Sequence, residues 1–387
     1  MSANLIIDAD SHVLPIDAFD DEYARRTFRS RWPTMLTDTV GRLFVVFPER
    51  ERELTPLQRS MRSEFSPLKR PPGFSDIAVR ESWLDEAGID MQVLVPSPGP
   101  FAYAIEPKLG LALARSYNDS IARLLERHPG RFIGLAVFPM QDVVAAVEEL
   151  DRAVGELGIH APLIISNVNG RNLSDPELWP FYERVEQLGV PLIIHGNRFE
   201  TPGPAALNRL DHMHLDNTLG FLFEGTLAIT SLIMYGVLDM FPRLKVGVLE
   251  TGAGYLPYLM DRLQEVYEGE TFGGISPASS KAVKDLIRKP PEEYMDQFWL
   301  CFNAGAERRS VPPVIGRFGA DRFMVNSDYP HGLGGSGATM PSVVRGLEDV
   351  TDAEKDDLLS NSACSLFGID PATRKQVRNG VAAVGAS

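Results

Sequence analysis

Two side chains able to bind a metal ion follow the first apolar run of the chain and are separated by a single residue. Asp10 and His12 end the stretch Leu5-Ile6-Ile7-Asp8-Ala9-Asp10-Ser11-His12, whose apolar beginning is typical of a strand. Alternate residues of a strand point to the same side, so the Asp10 carboxylate and the His12 imidazole are expected to face one point in space. Such a pair also occurs by chance, where it simply caps a turn, so a metal site needs further ligands.

Three later apolar runs each end in a further potential ligand: His195 after residues 191–194, Glu250 after residues 244–249, and Asp328 after residues 323–327. A buried histidine, a carboxylate that holds a glycine-rich turn and a turn aspartate are the structural alternatives for these three residues. Imidazole and carboxylate ligands together suit zinc, manganese or iron(II), with an open position for water or substrate.

The elements that must position these residues are eight strand-like runs separated by amphipathic helical patterns. The helical patterns cover 108–128, 143–157 and 175–188, and a final one covers 352–367. Near-continuous apolar strands that alternate with helices predict a parallel sheet covered by helices. Eight such units, with no G-x-G-x-x-G opener, favour an α/β fold of the (β/α)8 TIM-barrel type. The predicted strands are 5–10, 91–96, 132–138, 162–166, 191–195, 244–250, 298–303 and 323–328.

A barrel of this kind gathers the carboxyl ends of all its strands on one face, where active sites lie. Residues 1–373 are expected to form this barrel, with 14–75 as an insertion over its mouth and 374–387 as a flexible tail. The formal charge of −14 argues against nucleic acid and anionic membranes as partners. Cys301 and Cys364 give no disulfide framework. We expect a cytoplasmic homodimer that acts on a small molecule.

Five short motifs of the chain are typical of one known family: Asp8-Ala9-Asp10-Ser11-His12, Pro191-Leu192-Ile193-Ile194-His195, Phe241-Pro242-Arg243-Leu244-Lys245, Ser327-Asp328-Tyr329-Pro330-His331 and Asn361-Ser362-Ala363. Through them the chain resembles the amidohydrolase superfamily, in particular the amidohydrolase-related branch that includes aminocarboxymuconate-semialdehyde decarboxylase and the resorcylate-type decarboxylases. The resemblance implies that Asp10, His12, His195 and Asp328 bind the metal.

Glu250 marks a departure from this family, since many relatives carry a histidine after strand six. Here the stretch is Glu250-Thr251-Gly252-Ala253-Gly254. Glu250 is expected to act as a base or as an additional ligand, which would allow a second metal ion. A second departure is the acid Asp10, where H-x-H is common.

Other polar residues are expected around the same mouth. His331 is a candidate for catalysis or substrate contact, with an ordinary loop histidine as the alternative. Arg171, Arg198, Asn169 and Asn303 follow predicted strands and are candidates for substrate binding, whereas His212 and His214 are not expected to be ligands.

Two activities use such a site in different ways. In the first, a metal-bound water attacks an amide, ester, thioester or lactone, and Asp328 takes the proton of that water, assisted by Glu250 or His331. In the second, a carboxylic acid loses carbon dioxide after Asp328 protonates its carbon. The missing strand-six histidine favours the hydrolase, with the decarboxylase as the alternative and an inactive binding barrel as the third hypothesis.

Overall fold

The computed structural model describes residues 5–37, 43–46, 72–96, 103–196, 213–269, 284–303, 305–331 and 337–370. Within them, eight parallel strands follow one another around a single core, as the sequence predicted. They are β1 (Ile7–Val13), β2 (Met91–Pro96), β3 (two segments, Phe132–Gly134 and Ala136–Val137), β4 (Pro162–Ile165), β5 (Leu192–His195), β6 (Val246–Leu249), β7 (Phe298–Asn303) and β8 (Phe323–Asn326).

Each strand pairs in parallel with the next one along the chain. β3 is interrupted at Leu135, so its first segment pairs with β2 and its second with β4. Two hydrogen bonds join the last and first strands of this series. The Asp328 N–H donates to the Asp10 carbonyl over 3.2 Å, and the His12 N–H donates to the Tyr329 carbonyl over 2.7 Å. The segment after β8 therefore lies alongside β1, and the ligand-bearing ends of both strands are hydrogen-bonded to each other.

Helices cover the outside of the strands. Several begin at aspartates whose side chains accept the free backbone N–H groups of the first turn, such as Asp76 and Asp142. Gly88 and Gly189 end two of them in the left-handed conformation that glycine adopts readily. The α-helices are Glu22–Phe28, Ile77–Ala87, Pro107–Arg127, Val143–Gly155, Trp179–Leu188, Met213–Met234, Val237–Met240, Leu256–Glu268, Val311–Phe318, Met340–Arg345, Asp352–Asp356 and Ser362–Phe367.

The predicted helix 352–367 is not continuous. A π-helical turn, Asp357–Asn361, separates its first and last α-helical segments. This turn places Leu358, Leu359 and Ser360 in the core, where all three are buried. The predicted helix 175–188 likewise starts with a 3-10 turn, Pro176–Leu178, before the α-helix begins at Trp179.

The strands are buried along almost their whole length, which explains why their sequences are continuous apolar runs. No helix among the described residues is both long enough and apolar enough to cross a membrane.

The segment predicted as an insertion starts and ends beside β1. The Leu14 N–H donates to the Phe74 carbonyl over 2.7 Å, which joins the two ends of this segment. Between them, Thr34–Thr37 pairs antiparallel with Leu43–Val46. Residues 47–71 of this segment and the tail 374–387 lie outside the described residues. Their predicted roles, as a cover for the mouth and as a flexible tail, stay predictions.

Candidate metal centre and active site

Three predicted ligands lie together at the carboxyl ends of two strands. One ligand atom each from Asp10, His12 and His195 lies within 4.8 Å of the others. The register of β1 against β2 shifts between Asp8 and Ser11, the stretch that contains Asp10 and directly precedes His12. All three side chains are buried, so this cluster is a closed polar site in an apolar barrel.

Glu250 and Asp328 complete the cluster from β6 and β8. His12 Nε2 lies 3.2 Å from Asp328 Oδ1 and 3.5 Å from Glu250 Oε2. Glu250 Oε2 also lies 2.6 Å from His195 Nε2, so one carboxylate reaches both imidazoles. His12 and Asp328 form a second group of ligand atoms within 4.8 Å together with His331. The structure thus brings together all six residues that were predicted as ligands or catalytic groups.

Two of the carboxylates stand on strained backbone. Glu250 has a φ of 59° and Asp328 a φ of 54°, a region that residues other than glycine rarely occupy. Such strain costs of order 1–3 kcal/mol and is typically found at functional sites. Both strands therefore end one or two residues earlier than predicted, and the turn that follows directs the acid toward the cluster.

The donor atoms of this cluster fit a divalent metal ion. Four buried side chains have atoms without a hydrogen-bond partner: Asp10 Oδ1 and Oδ2, both ring nitrogens of His12, His195 Nε2 and Asp328 Oδ1. The short approaches between imidazoles and carboxylates have the distance of hydrogen bonds but not their alignment. Buried polar atoms are almost always satisfied, so the convergence of these atoms without partners fits a site that binds a cation.

His195 shows which of its nitrogens would face the metal. Its Nδ1 lies 2.6 Å from the Gly196 carbonyl, which can only accept, so Nδ1 carries the proton. Nε2 is therefore the nitrogen that faces the cluster, 2.6 Å from Glu250 Oε2, and a metal ion would take the place of any proton on it. A histidine ligand is usually fixed in this way by a hydrogen bond from its second nitrogen.

Protons occupy this cluster before any metal binds. Burial raises the pKa of Asp10 to about 7, although His195 and His12 favour its charged form. Burial also raises the pKa of Asp328, and the charge of Glu250 adds to the shift. Burial opposes charge on His12, but the carboxylates of Asp328 and Glu250 raise its pKa to about 10. Metal binding must therefore displace protons.

We expect metal affinity to rise with pH. Because the pKa of His12 is raised to about 10, its proton is present at neutral pH and has to leave when the imidazole becomes a ligand. One displaced proton makes the association constant rise about tenfold per pH unit, and Asp10 adds to this slope below its pKa of about 7. Titration calorimetry with manganese in buffers of different ionisation enthalpy measures the protons released. A slope of zero between pH 6 and pH 8 would contradict this assignment of the ligands.

Glu307 fixes the turn that carries Glu250. The sequence analysis did not predict this role. Its Oε1 accepts the N–H groups of Ala253 and Gly254 over 3.0 Å each, and its Oε2 accepts the N–H of Asn303 over 2.9 Å. A Cβ on Gly252 would lie 2.7 Å from this carboxylate. The loop after β7 therefore holds the loop after β6, which explains why the latter is rich in glycine.

Three of the four residues predicted to bind substrate, Arg171, Asn303 and Asn169, lie in the described part of the chain. Arg171 is ion-paired with Glu177 and lies 3.4 Å from Asp175, and the Asn303 side chain accepts the Ala306 N–H in its own loop. Asn169 donates to the Tyr103 carbonyl over 2.8 Å. None of these contacts tests a role in substrate binding, which stays a prediction. Arg198, His212 and the side chain of His214 lie outside the described residues.

His331 lies at the mouth, against the metal cluster. Its ring centroid is 4.4 Å from that of His12 and 5.0 Å from that of Phe74, which ends the insertion. His331 is exposed whereas the other two rings are buried. It is thus the member of the cluster that faces an incoming molecule.

A barrel whose strand ends carry buried histidines and carboxylates defines a class of metal-dependent enzymes. The family model described as "Amidohydrolase" matches residues 7–369, and the chain belongs to this family. The 2-amino-3-carboxymuconate-6-semialdehyde decarboxylase of Dictyostelium discoideum is 32% identical over 297 residues, which cover 76% of this chain and 77% of the relative. A gamma-resorcylate decarboxylase of Polaromonas sp. is 29% identical, covering 64% of this chain and 74% of the relative.

Solved structures share the fold. The 5-carboxyvanillate decarboxylase of Sphingomonas paucimobilis superposes with a TM-score of 0.73 at 21% identity, covering 95% of this chain and 99% of the other. A dihydroxybenzoic acid decarboxylase of Polaromonas sp., solved with bound manganese and 2-nitroresorcinol, gives 0.66 at 22% identity, covering 96% and 99%. These likenesses confirm the predicted barrel fold.

The comparisons overturn the predicted activity. The sequence favoured a hydrolase, with Asp328, Glu250 and His331 activating water, but the relatives named above are decarboxylases. The error came from treating the missing strand-six histidine as evidence against decarboxylation. Glu250 in fact lies against both imidazoles of the cluster, so an acid at that position is compatible with either chemistry. The alternative activity considered from the sequence, a carboxy-lyase, agrees with these relatives.

Proposed function

We propose that this protein is a metal-dependent, non-oxidative decarboxylase of a small aromatic or unsaturated carboxylic acid. The observation that carries this proposal is the convergence of unpartnered, buried ligand atoms from Asp10, His12, His195 and Asp328. They occur in a chain for which the two relatives reported above are both named as decarboxylases. The cofactor is a divalent ion, for which manganese, zinc and iron(II) all suit imidazole and carboxylate ligands.

Asp10, His12, His195 and Asp328 would hold the metal, with Glu250 as an additional ligand or a base. When bound, such an ion binds oxygen atoms of the substrate and stabilises the negative charge that develops on them. Manganese is present in a solved structure of the same fold, which supports that ion as the first one to test. A second ion, with His331 among its ligands, is compatible with the second group of ligand atoms.

Asp328 is the group that we assign to proton transfer. Burial and the charge of Glu250 raise its pKa, so a proton is held there more readily than on an ordinary carboxyl. In the reaction, Asp328 gives this proton to the carbon that bears the carboxylate. The bond between that carbon and the carboxylate then breaks, its electron pair returns to the substrate, and carbon dioxide leaves.

His331 and Phe74 are the groups that we assign to the substrate. The Phe74 ring stands edge to face against His331, which in turn stands against His12 and is the exposed member of the described cluster. A flat, unsaturated acid is the substrate that such a ring-lined approach accommodates. Arg171, Arg198, Asn169 and Asn303 remain candidates for contacts farther from the metal.

Two finer predictions also stand as proposals, a cytoplasmic location and a homodimer. Cys301 and Cys364 are both free and buried, which suits a reducing compartment. Phe223 and Leu227, one helical turn apart on the helix Met213–Met234, expose 42% and 40% of their surface and are compatible with a contact between subunits.

We expect the manganese-loaded protein to release carbon dioxide from at least one member of a panel of hydroxylated benzoates and an aminocarboxymuconate semialdehyde. Removal of the metal by a chelator should abolish release, and adding manganese back should restore it. Carbon dioxide evolution and loss of substrate absorbance measure the reaction. Turnover of aryl esters or thioesters by the same preparation, without any carbon dioxide from the acids, would overturn the proposal.

A further inference from the structure

Arg80 is a fully buried cation that contacts the strand carrying Asp10 and His12. It lies on the helix Ile77–Ala87, and its side chain is 0% exposed, as is that of Leu84 one turn later. Burying a guanidinium is costly unless its donors are satisfied by well-placed acceptors. Burial lowers the pKa of Arg80 to about 10, so it is still charged near neutral pH.

The acceptors of Arg80 surround the first strand. Its Nη2 donates to the carbonyl of His12, and its Nη1 donates to Ser11 Oγ over 3.2 Å. Nη1 also donates to Gln92 Oε1 over 2.6 Å, and Nε donates to the Gly73 carbonyl over 3.1 Å. Arg80 therefore binds the backbone of one predicted ligand and the side chain of the residue between two of them. It also joins them to the end of the insertion.

A second branch leads from Arg80 to the loop that carries Asp328. The Nε2 of Gln92 donates to Asp8 Oδ2 over 2.7 Å. Asp8 Oδ1 accepts the Ser327 N–H over 2.8 Å, and Asp8 Oδ2 accepts the Ser327 hydroxyl. Because Ser327 directly precedes Asp328, this chain of hydrogen bonds fixes the start of the loop after β8.

The ring of Tyr329 contacts both Arg80 and Trp83 of this helix. The Arg80 guanidinium lies 4.9 Å from its centroid, and Trp83 stacks on the same ring with the centroids 4.0 Å apart. Tyr329 follows Asp328 directly, so the residues on both sides of this acid are in contact with the network. The helix Ile77–Ala87 thus contacts residues adjacent in sequence to the predicted ligands, Ser11 on β1 and Tyr329 after β8.

We propose that Arg80 is a positioning residue of the metal centre, acting through the His12 carbonyl and Ser11 on one side and through Gln92, Asp8 and Ser327 on the other. This inference rests on the proposed metal site. Its basis is two sets of hydrogen bonds. Arg80 binds β1 directly at Ser11 and His12, and it reaches Ser327, the residue before Asp328, through Gln92 and Asp8. Residues that orient metal ligands commonly change metal affinity 10–100-fold when they are replaced.

The test is Arg80→Lys in the full-length protein loaded with cobalt(II). Lysine keeps the positive charge but replaces a planar group of five donors by one ammonium, which cannot reach four acceptors in fixed directions. We expect the cobalt dissociation constant to rise about 10–100-fold and the visible absorption of bound cobalt to change, since both depend on ligand geometry. A loss of stability alone would not change the spectrum of the protein that remains folded.

Arg131→Lys is the matched control. Arg131 is also a buried arginine, and it donates to the Asp90 carbonyl over 3.0 Å and to Asp85 over 2.7 Å. These hydrogen bonds connect the same helix to the barrel at the amino-terminal ends of β2 and β3. The metal cluster lies at the opposite, carboxyl-terminal end of the strands. We expect this variant to melt at a lower temperature than the wild type while its cobalt affinity and spectrum stay the same.

Gln92→Leu gives a second variant in case Arg80→Lys does not fold. It breaks the branch to Asp8 without adding a charge, and it should weaken cobalt binding and shift the spectrum in the same direction. If the wild-type protein binds no cobalt, the proposed metal site fails and this inference fails with it. If the wild type binds cobalt and the folded variants have its affinity and spectrum, only the inference on Arg80 is overturned.

Discussion

His195→Ala is expected to weaken metal binding at least about 100-fold and to abolish turnover at ordinary metal concentrations. The Gly196 carbonyl holds a proton on Nδ1 of His195 and fixes the ring orientation, so Nε2 is the nitrogen that faces the cluster and can bind a metal. It is the one predicted ligand on β5. Its loss would leave only the candidate ligands of β1 and of the loops after β6 and β8 to hold the ion. The metal content of the purified variant and its dissociation constant for manganese measure the effect.

His160→Ala is the control for that experiment. His160 lies on the surface before β4 and is exposed, so removing its imidazole takes nothing from the barrel mouth. It should bind metal and turn over like the wild type. Full metal occupancy in His195→Ala, with activity retained, would show that the ion is held elsewhere and would remove the basis for the assigned ligands.

The barrel and its ligands could be predicted from the sequence because each depends on a local signal. Apolar runs mark the strands, and the residue at the end of each run is placed at the mouth by the fold itself. Asp10, His12 and His195 were found in this way, and they lie together. Glu250 and Asp328 were found as well, but not their positive φ angles, because the backbone at those positions is set by partners far away in sequence.

The residues that support the site could not be predicted in the same way. Arg80 lies 68 residues from the carbonyl of His12 that it binds, and Glu307 lies 54 residues from the Ala253 N–H that it accepts. Their partners are largely backbone groups, which every residue has, so no side-chain pattern indicates them. A charged residue four positions before a core leucine is the only local hint for Arg80.

The activity was predicted wrongly because the residue types at the site do not distinguish hydrolysis from decarboxylation. The same ligands serve water attack and loss of carbon dioxide, and the difference lies in where one proton goes. The family and its named relatives correct that error, whereas the geometry of Asp328 and Glu250 alone would not. A fold can therefore be predicted correctly, and the candidate ligands can lie together, while the reaction assigned to them is wrong.

Asp328→Asn is expected to reduce decarboxylation about 10²–10⁴-fold, the range that a proton-transferring group usually contributes. Asparagine has nearly the shape of aspartate and keeps one oxygen able to bind a metal, but it cannot hold or give the proton. In the wild type, burial and the charge of Glu250 raise the pKa of Asp328, which prepares it to carry that proton. Metal content must be measured in parallel, so that a lost ligand is not mistaken for a lost acid.

Solvent isotope labelling makes this prediction specific to decarboxylation. In deuterium oxide the wild-type protein should place one deuterium on the carbon that loses carbon dioxide, and metal-loaded Asp328→Asn should form this product far more slowly. Asp321→Asn is the matched control, because Asp321 lies at the opposite end of β8 with 64% of its side chain exposed, and it should behave like the wild type. Normal turnover by metal-loaded Asp328→Asn would assign the proton to another group. Since Glu250 and His331 lie against the same imidazole, Glu250→Gln and His331→Asn would then be the variants to compare.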